Sequence, residues 1–213
     1  MKHTIAIFLH HPECSEDCVN GMTAALGAHY TIKTFGVDEC SAETFVGIDI
    51  VAFPGGIGDA GSYDRFFRRK AQNAVADYVA NGGRYLGICM GAYWAGPQYF
   101  DLCIDIEIEQ YIKQPTADII TDGPTVANVT YNGVLERMYF YDGCAILGDS
   151  IDTVVATYAN GDAMAAIQGN VGMFGCHPEA LEWWYTQGGM DIALYDTTHA
   201  VLMCLFVHQL LDS

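Results

Sequence analysis

Apolar residues in the first part of this chain come in short blocks. Residues 4–9, 30–35, 49–53 and 84–88 each read as a strand, and 49–53 is almost wholly apolar, as in strands buried on both faces. Between these blocks the period lengthens. Ser15 opens a helical stretch to about residue 29, with Ser15 as its cap. Residues 64–81 place Phe66, Phe67, Ala71, Ala74, Val75, Tyr78 and Val79 at helical spacing, stopped by Gly82-Gly83. Strands alternating with helices predict an α/β fold around a mainly parallel sheet, with ligands at the carboxyl ends of its strands. From 102 to 168 the texture changes. Asp122-Gly123-Pro124, Asn132-Gly133, Asp142-Gly143 and Asn160-Gly161 punctuate short strand candidates, so a mixed or antiparallel insertion is expected there. Residues 171–176 return to a core strand, and Thr197 or Thr198 caps a last helix to about residue 211.

Length and composition narrow this picture. A chain of 213 residues, 51% of them hydrophobic, is expected to fold as a single domain over 1–213. The opening apolar run meets His10-His11-Pro12-Glu13 at once, too early for a signal peptide, and residues 200–211 are interrupted by His208 and Gln209. A cytoplasmic protein without a membrane span is expected. The eight cysteines then read as reduced thiols rather than as a disulfide framework. With 26 acidic against nine basic side chains, the formal net charge of −17 repels nucleic acid and anionic membranes; a neutral or cationic small molecule is accommodated more easily.

Two segments carry candidate chemistry. Gly87-Ile88-Cys89-Met90-Gly91 follows the fourth strand, and Phe174-Gly175-Cys176-His177-Pro178-Glu179 closes the last one. A cysteine in a tight turn between strand and helix exposes its sulfur, and free N–H groups at the helix start favour the thiolate. Gly87 and Gly91 permit that turn. A histidine within reach activates the thiol and returns a proton to the leaving group, while a carboxylate orients the imidazole. His177 and Glu179 project to the same side of an extended segment. Taken alone, G-x-C-x-G also suits a small core cysteine, and the histidine a strand end; their joint occurrence favours a catalytic triad of Cys89, His177 and Glu179.

These residues resemble the class I glutamine amidotransferase-like superfamily, which implies a flavodoxin-like three-layer sandwich and a Cys-His-Glu triad. Phe53-Pro54-Gly55-Gly56, residues 85–95, Tyr139-Phe140-Tyr141-Asp142-Gly143 and His177-Pro178-Glu179 look most like the biotin-protein ligase N-terminal domain family, over roughly residues 4–182. No biotin-ligase catalytic domain is present in the sequence, so biotinylation is not expected. By the resemblance, the backbone N–H groups of Gly56 and Met90 form an oxyanion hole; Gly55-Gly56 also suits a plain turn. One departure stands out: glutamine amidotransferases usually carry Gln where this chain has Tyr93, and that Gln helps hold the substrate glutamine. The implied enzyme therefore acts on glutamine or on another amide or acyl group through a cysteinyl acyl-enzyme. A synthetase or ligase partner would consume any ammonia released, since no G-x-x-x-x-G-K motif is present. No cofactor and no metal is expected. A non-catalytic metabolite-binding or regulatory module and a redox-active thiol protein are the competing readings.

Other groups have milder interpretations. His10, His11, Cys14 and Cys18 offer metal-ligand atoms without a standard zinc spacing. Their loop follows the first strand and should rim the site, where His11 or Glu13 contacts substrate or lies on a plain surface. Arg65, Arg68, Arg69 and Lys70 either hold a substrate carboxylate or form the solvated face of a helix. Gly55, Tyr63 and Tyr93 are candidate substrate contacts, and Trp183, Trp184 and Tyr185 a pocket wall, an interface or core.

Overall fold

The computed structural model describes residues 2–9, 14–56, 63, 66–67 and 70–213. His10, His11, Glu13, Arg65, Arg68 and Arg69, together with the side chain of Lys70, lie outside the described part. β1 (Thr4–Phe8), β2 (Thr31–Phe35), β3 (Ile50–Phe53), β4 (Arg84–Ile88) and β11 (Val171–Phe174) make the parallel half of one continuous sheet, in the order β2-β1-β3-β4-β11. Helices α1 (Glu16–Leu26), α2 (Lys70–Ala80) and α3 (Met90–Ala95) follow β1, β3 and β4, and α5 (Thr198–Asp212) closes the chain.

Strand register explains the layering. Ile7 pairs with Ala52 and Phe53 with Gly87, which puts Phe8, Phe53 and Tyr85 on one face of the sheet. There they meet Trp94 and Phe66: Phe53 stacks on Tyr85 at 5.5 Å, and Phe66 on Trp94 at 4.8 Å. Gly172 and Phe174 project from the other face, where Phe174 meets Phe206 of α5 at 4.3 Å and α1 packs beside α5. A parallel sheet covered on both sides must be apolar on both sides, and every residue of β3 and β11 is buried.

The expected insertion is antiparallel. β10 (Ala163–Gln168) continues the sheet from β11, followed outward by β9 (Thr153–Tyr158), β6 (Thr125–Tyr131) and β7 (Val134–Phe140). The short β5 (Glu107–Gln110) and β8 (Cys144–Leu147) branch off β10. Asn132-Gly133 forms the two-residue hairpin turn, with φ of 46° and 83°. Two expectations are corrected by local geometry. α1 ends at Leu26 rather than near 29, and the cap of α5 is neither threonine hydroxyl: Asp196 Oδ1 accepts the Thr198 N–H at 2.8 Å. A six-residue helix, α4 (Glu182–Gln187), occupies the aromatic stretch after Glu179.

The tightest joint in the sheet lies at Gly91, where an added Cβ would overlap the carbonyl oxygen of Phe53, a backbone atom that cannot step aside. Gly91→Ala is expected to lower unfolding free energy by about 2–4 kcal/mol. Urea titration followed by far-UV circular dichroism measures this, and a loss below about 0.5 kcal/mol would contradict the packing described.

Candidate active site

Cys89 joins β4 to α3 with φ 49° and ψ −105°, a left-handed conformation that costs a non-glycine residue on the order of 1–3 kcal/mol. Neighbouring strands hold it there. The Cys89 N–H donates to Phe174 O of β11 at 2.8 Å, the Gly91 N–H to Pro54 O beyond β3 at 3.3 Å, and the buried Tyr85 hydroxyl to Gly91 O at 2.6 Å. The sulfur is thereby turned out of the sheet into a cleft of about 370 Å³, which Gly56, His177 and Cys18 also line. Its thiol donates to Tyr141 O at 3.5 Å. Among the described residues, neither the Met90 nor the Gly56 backbone N–H has an acceptor.

His177 follows β11 and is fixed from the insertion, because its N–H donates to Tyr139 O at 2.9 Å at the end of β7. Its ring lies edge-on to Tyr139 and Trp184 at 5.9 and 5.7 Å. His177 Nδ1 is 2.8 Å from Glu179 Oε1, and both side chains are buried. That bond commits Nδ1 to the carboxylate and leaves Nε2 for a thiol. Burial alone would push the imidazolium pKa down, yet the Glu179 carboxylate, then Cys89, and hydrogen bonds to Cys18 and Cys89 hold it well above the usual 6.5. The second carboxylate oxygen, Glu179 Oε2, is buried without a partner among the described residues, as is Trp184 Nε1.

Two thiols therefore flank one imidazole. Cys18, on α1, is raised by burial, which outweighs the pull of His177. Burial raises Cys204 as well, pushes Cys40, Cys103 and Cys176 up to about 12, and holds Cys144 well above its usual value. These six remain thiols at neutral pH, the form that attacks poorly. Cys89 alone among the seven sits on a strained turn at a strand end.

The structure brings Cys89, His177, Glu179, Gly55, Gly56 and Met90 to one end of the parallel strands. Gly55 is a spacer: a Cβ there would lie 2.6 Å from His177 Cε1 and 2.9 Å from Cys18 Sγ. Tyr93 points elsewhere, its hydroxyl donating to Asp142 O at 3.2 Å, and it lines a separate hollow with Glu107 and Glu109. Tyr63 packs edge-on against Trp94 at 5.1 Å, away from the cleft. His11 falls outside the described residues. Cys18, Asp17, Tyr139 and Tyr141 were not singled out as site residues; Cys18 stood in the sequence only as one of four ligand candidates near residue 14. In the fold it joins His177 and Glu179 in a group whose ligand atoms lie within 4.8 Å of one another. These are zinc-type donors, although His177 and Glu179 are already bonded to each other. No helix among the described residues is long and apolar enough to cross a membrane.

The pattern of the family described as biotin-protein ligase, N terminal, matches residues 10–109. No curated protein matches the sequence. Among solved structures, PurLQS from Thermotoga maritima superposes with a TM-score of 0.68 at 15% identity, over 99% of this chain and 100% of that one. A glutamine amidotransferase from the same organism gives 0.66 at 12% identity with both chains fully covered. A further glutamine amidotransferase gives 0.65 at 17%, over 98% and 99% of the two chains. The chain thus has the class I glutamine amidotransferase-like fold. Within that class, its residues 10–109 carry the biotin-protein ligase N-terminal pattern. Tyr139–Gly143 and His177-Pro178-Glu179 lie beyond the matched residues.

The raised His177 pKa links protonation to stability. A group whose native pKa exceeds its unfolded value adds stability that is complete below the unfolded pKa of about 6.5 and is lost as pH climbs through the native pKa. As pH rises above about 6.5 and through the raised native pKa, the native protein should lose stability that Glu179→Gln does not lose. Denaturation midpoints of the two proteins across that range provide the check; parallel curves would mean that Glu179 does not hold the proton.

Proposed function

We propose that this protein is a cysteine hydrolase or amidotransferase-like enzyme that cleaves an amide or related acyl substrate. The observation that carries the proposal is the strained Cys89 beside a histidine whose Nδ1 is held 2.8 Å from a buried carboxylate. The Cys89 thiolate attacks the carbonyl carbon, and the oxyanion forms against the N–H groups of Met90 and Gly56. His177 protonates the leaving amine as the C–N bond breaks, giving a thioester on Cys89. His177 Nε2 then removes a proton from water, hydroxide adds to the thioester, and the carboxylic acid leaves as the thiolate returns. Glu179 keeps Nδ1 protonated and the ring aligned throughout.

Similarity to glutamine amidotransferases supports an amide as the substrate class. Tyr93, with its hydroxyl engaged by Asp142, supplies no amide group to the cleft, which favours a substrate other than glutamine. If ammonia is the product, a synthetase or ligase partner is the proposed consumer.

Iodoacetamide labelling across pH, mapped by peptide mass spectrometry, tests the pair. Cys89 should label faster than the other cysteines at pH 7, and its labelling should slow at least about tenfold in His177→Ala. Labelling no faster than that of the other cysteines, or unchanged by His177→Ala, would favour a binding module on this scaffold.

A further inference from the structure

The cleft over Cys89 is aromatic and acidic. Tyr139 and Trp184 are buried beside the His177 ring, 5.4 Å apart and steeply inclined to each other, while Trp183 and Tyr141 line the cleft from exposed positions, at 40% and 51%. Asp17, in the first turn of α1, is exposed in the same lining and has no ion-pair partner among the described residues. Neither lysine nor arginine is among the described lining residues. The His177 imidazole, also in this lining, is already bonded to Glu179.

Ring faces carry the negative part of an aromatic quadrupole, so rings that turn their faces to a common space attract a cation. A carboxylate at the rim adds to that preference, and the net charge of −17 sets the surrounding field in the same sense. A substrate carboxylate would meet Asp17 and find no guanidinium or ammonium among the described lining residues.

We propose that the acyl substrate carries a cationic group, a quaternary or protonated ammonium, held among Trp183, Trp184, Tyr139 and Tyr141 with Asp17 as its counter-ion. This specifies the substrate class of the enzyme proposed above and rests on Cys89 facing the same cleft. The aromatic residues position the carbonyl over Cys89, and Asp17 selects the charge.

Charge-selective thiol probes test this without knowledge of the substrate. The Cys89 thiolate displaces methanesulfinate from a methanethiosulfonate reagent and leaves a mixed disulfide, so its rate reads access for each charge. Relative to their rates with a small free thiol, the trimethylammonioethyl reagent should label Cys89 at least about tenfold faster than the sulfonatoethyl reagent, and this normalised ratio should persist in about 0.5 M salt, where the long-range field is screened. Asp17→Asn and the exposed Trp183→Leu should each cut that ratio at least about threefold. Equal rates, a ratio abolished by salt, or a ratio untouched by both substitutions would overturn the cage. His177→Ala distinguishes the two proposals. It should slow both reagents alike and keep the ratio if both hold; a normal rate with the ratio intact would sink the triad alone, and a slowed rate with no ratio would sink the cage alone.

Discussion

The left-handed backbone at Cys89 is the constraint on which the rest of the site depends. A non-glycine residue stays at φ 49° only where its surroundings leave no alternative. Here the surroundings are the central strands themselves: β11 accepts the Cys89 N–H, the end of β3 accepts the Gly91 N–H, and Tyr85 of β4 clamps the Gly91 carbonyl. Those contacts require Gly91 to approach Phe53 more closely than any side chain allows. Strain at the turn is thus balanced by the most buried part of the fold, and the sulfur is held at the carboxyl end of the sheet without support from a flexible loop.

The second half of the site comes from far along the chain, and the same sheet delivers it. β11 pairs with β4, so His177 arrives next to Cys89, while Tyr139 at the end of β7 fixes the His177 backbone. The antiparallel insertion therefore sets the imidazole and supplies Tyr139 and Tyr141 to the cleft. Gly21 of α1 performs a similar service for Glu179, since a Cβ at that position would strike the Glu179 backbone. The unpartnered Glu179 Oε2 strengthens the demand for a positive imidazole beside it, because a buried carboxylate short of hydrogen bonds relies on its remaining partner.

Much of this was legible in the sequence, for reasons that can be stated residue by residue. Strands buried on both faces leave near-continuous apolar runs, so β1, β3, β4 and β11 stand out, and a strand-end cysteine flanked by glycines marks its own turn. Asn132-Gly133 announced its hairpin because few residue pairs accept two positive φ values. Other features depend on tertiary neighbours and leave no local trace. Cys18 lies beside His177 because of where α1 packs, and its spacing from His10 and His11 suggested a different grouping. Tyr93 and Tyr63 are near Cys89 along the chain or by strand-end logic, yet one is turned to Asp142 and the other to Trp94. Thr197 does stand at the cap position of α5, but its hydroxyl makes no cap bond, and Asp196, outside the apolar pattern, accepts the Thr198 N–H instead.

The central claim is that Cys89 forms an acyl-enzyme, and the most direct measurement is intact and peptide mass spectrometry after brief exposure to a small activated acetyl ester. The account predicts a single acetyl group on Cys89 that disappears with time in the native protein and persists in Glu179→Gln, where deacylation lacks an oriented base. Acetylation absent from Cys89, or spread over the other cysteines in proportion to their exposure, would contradict it.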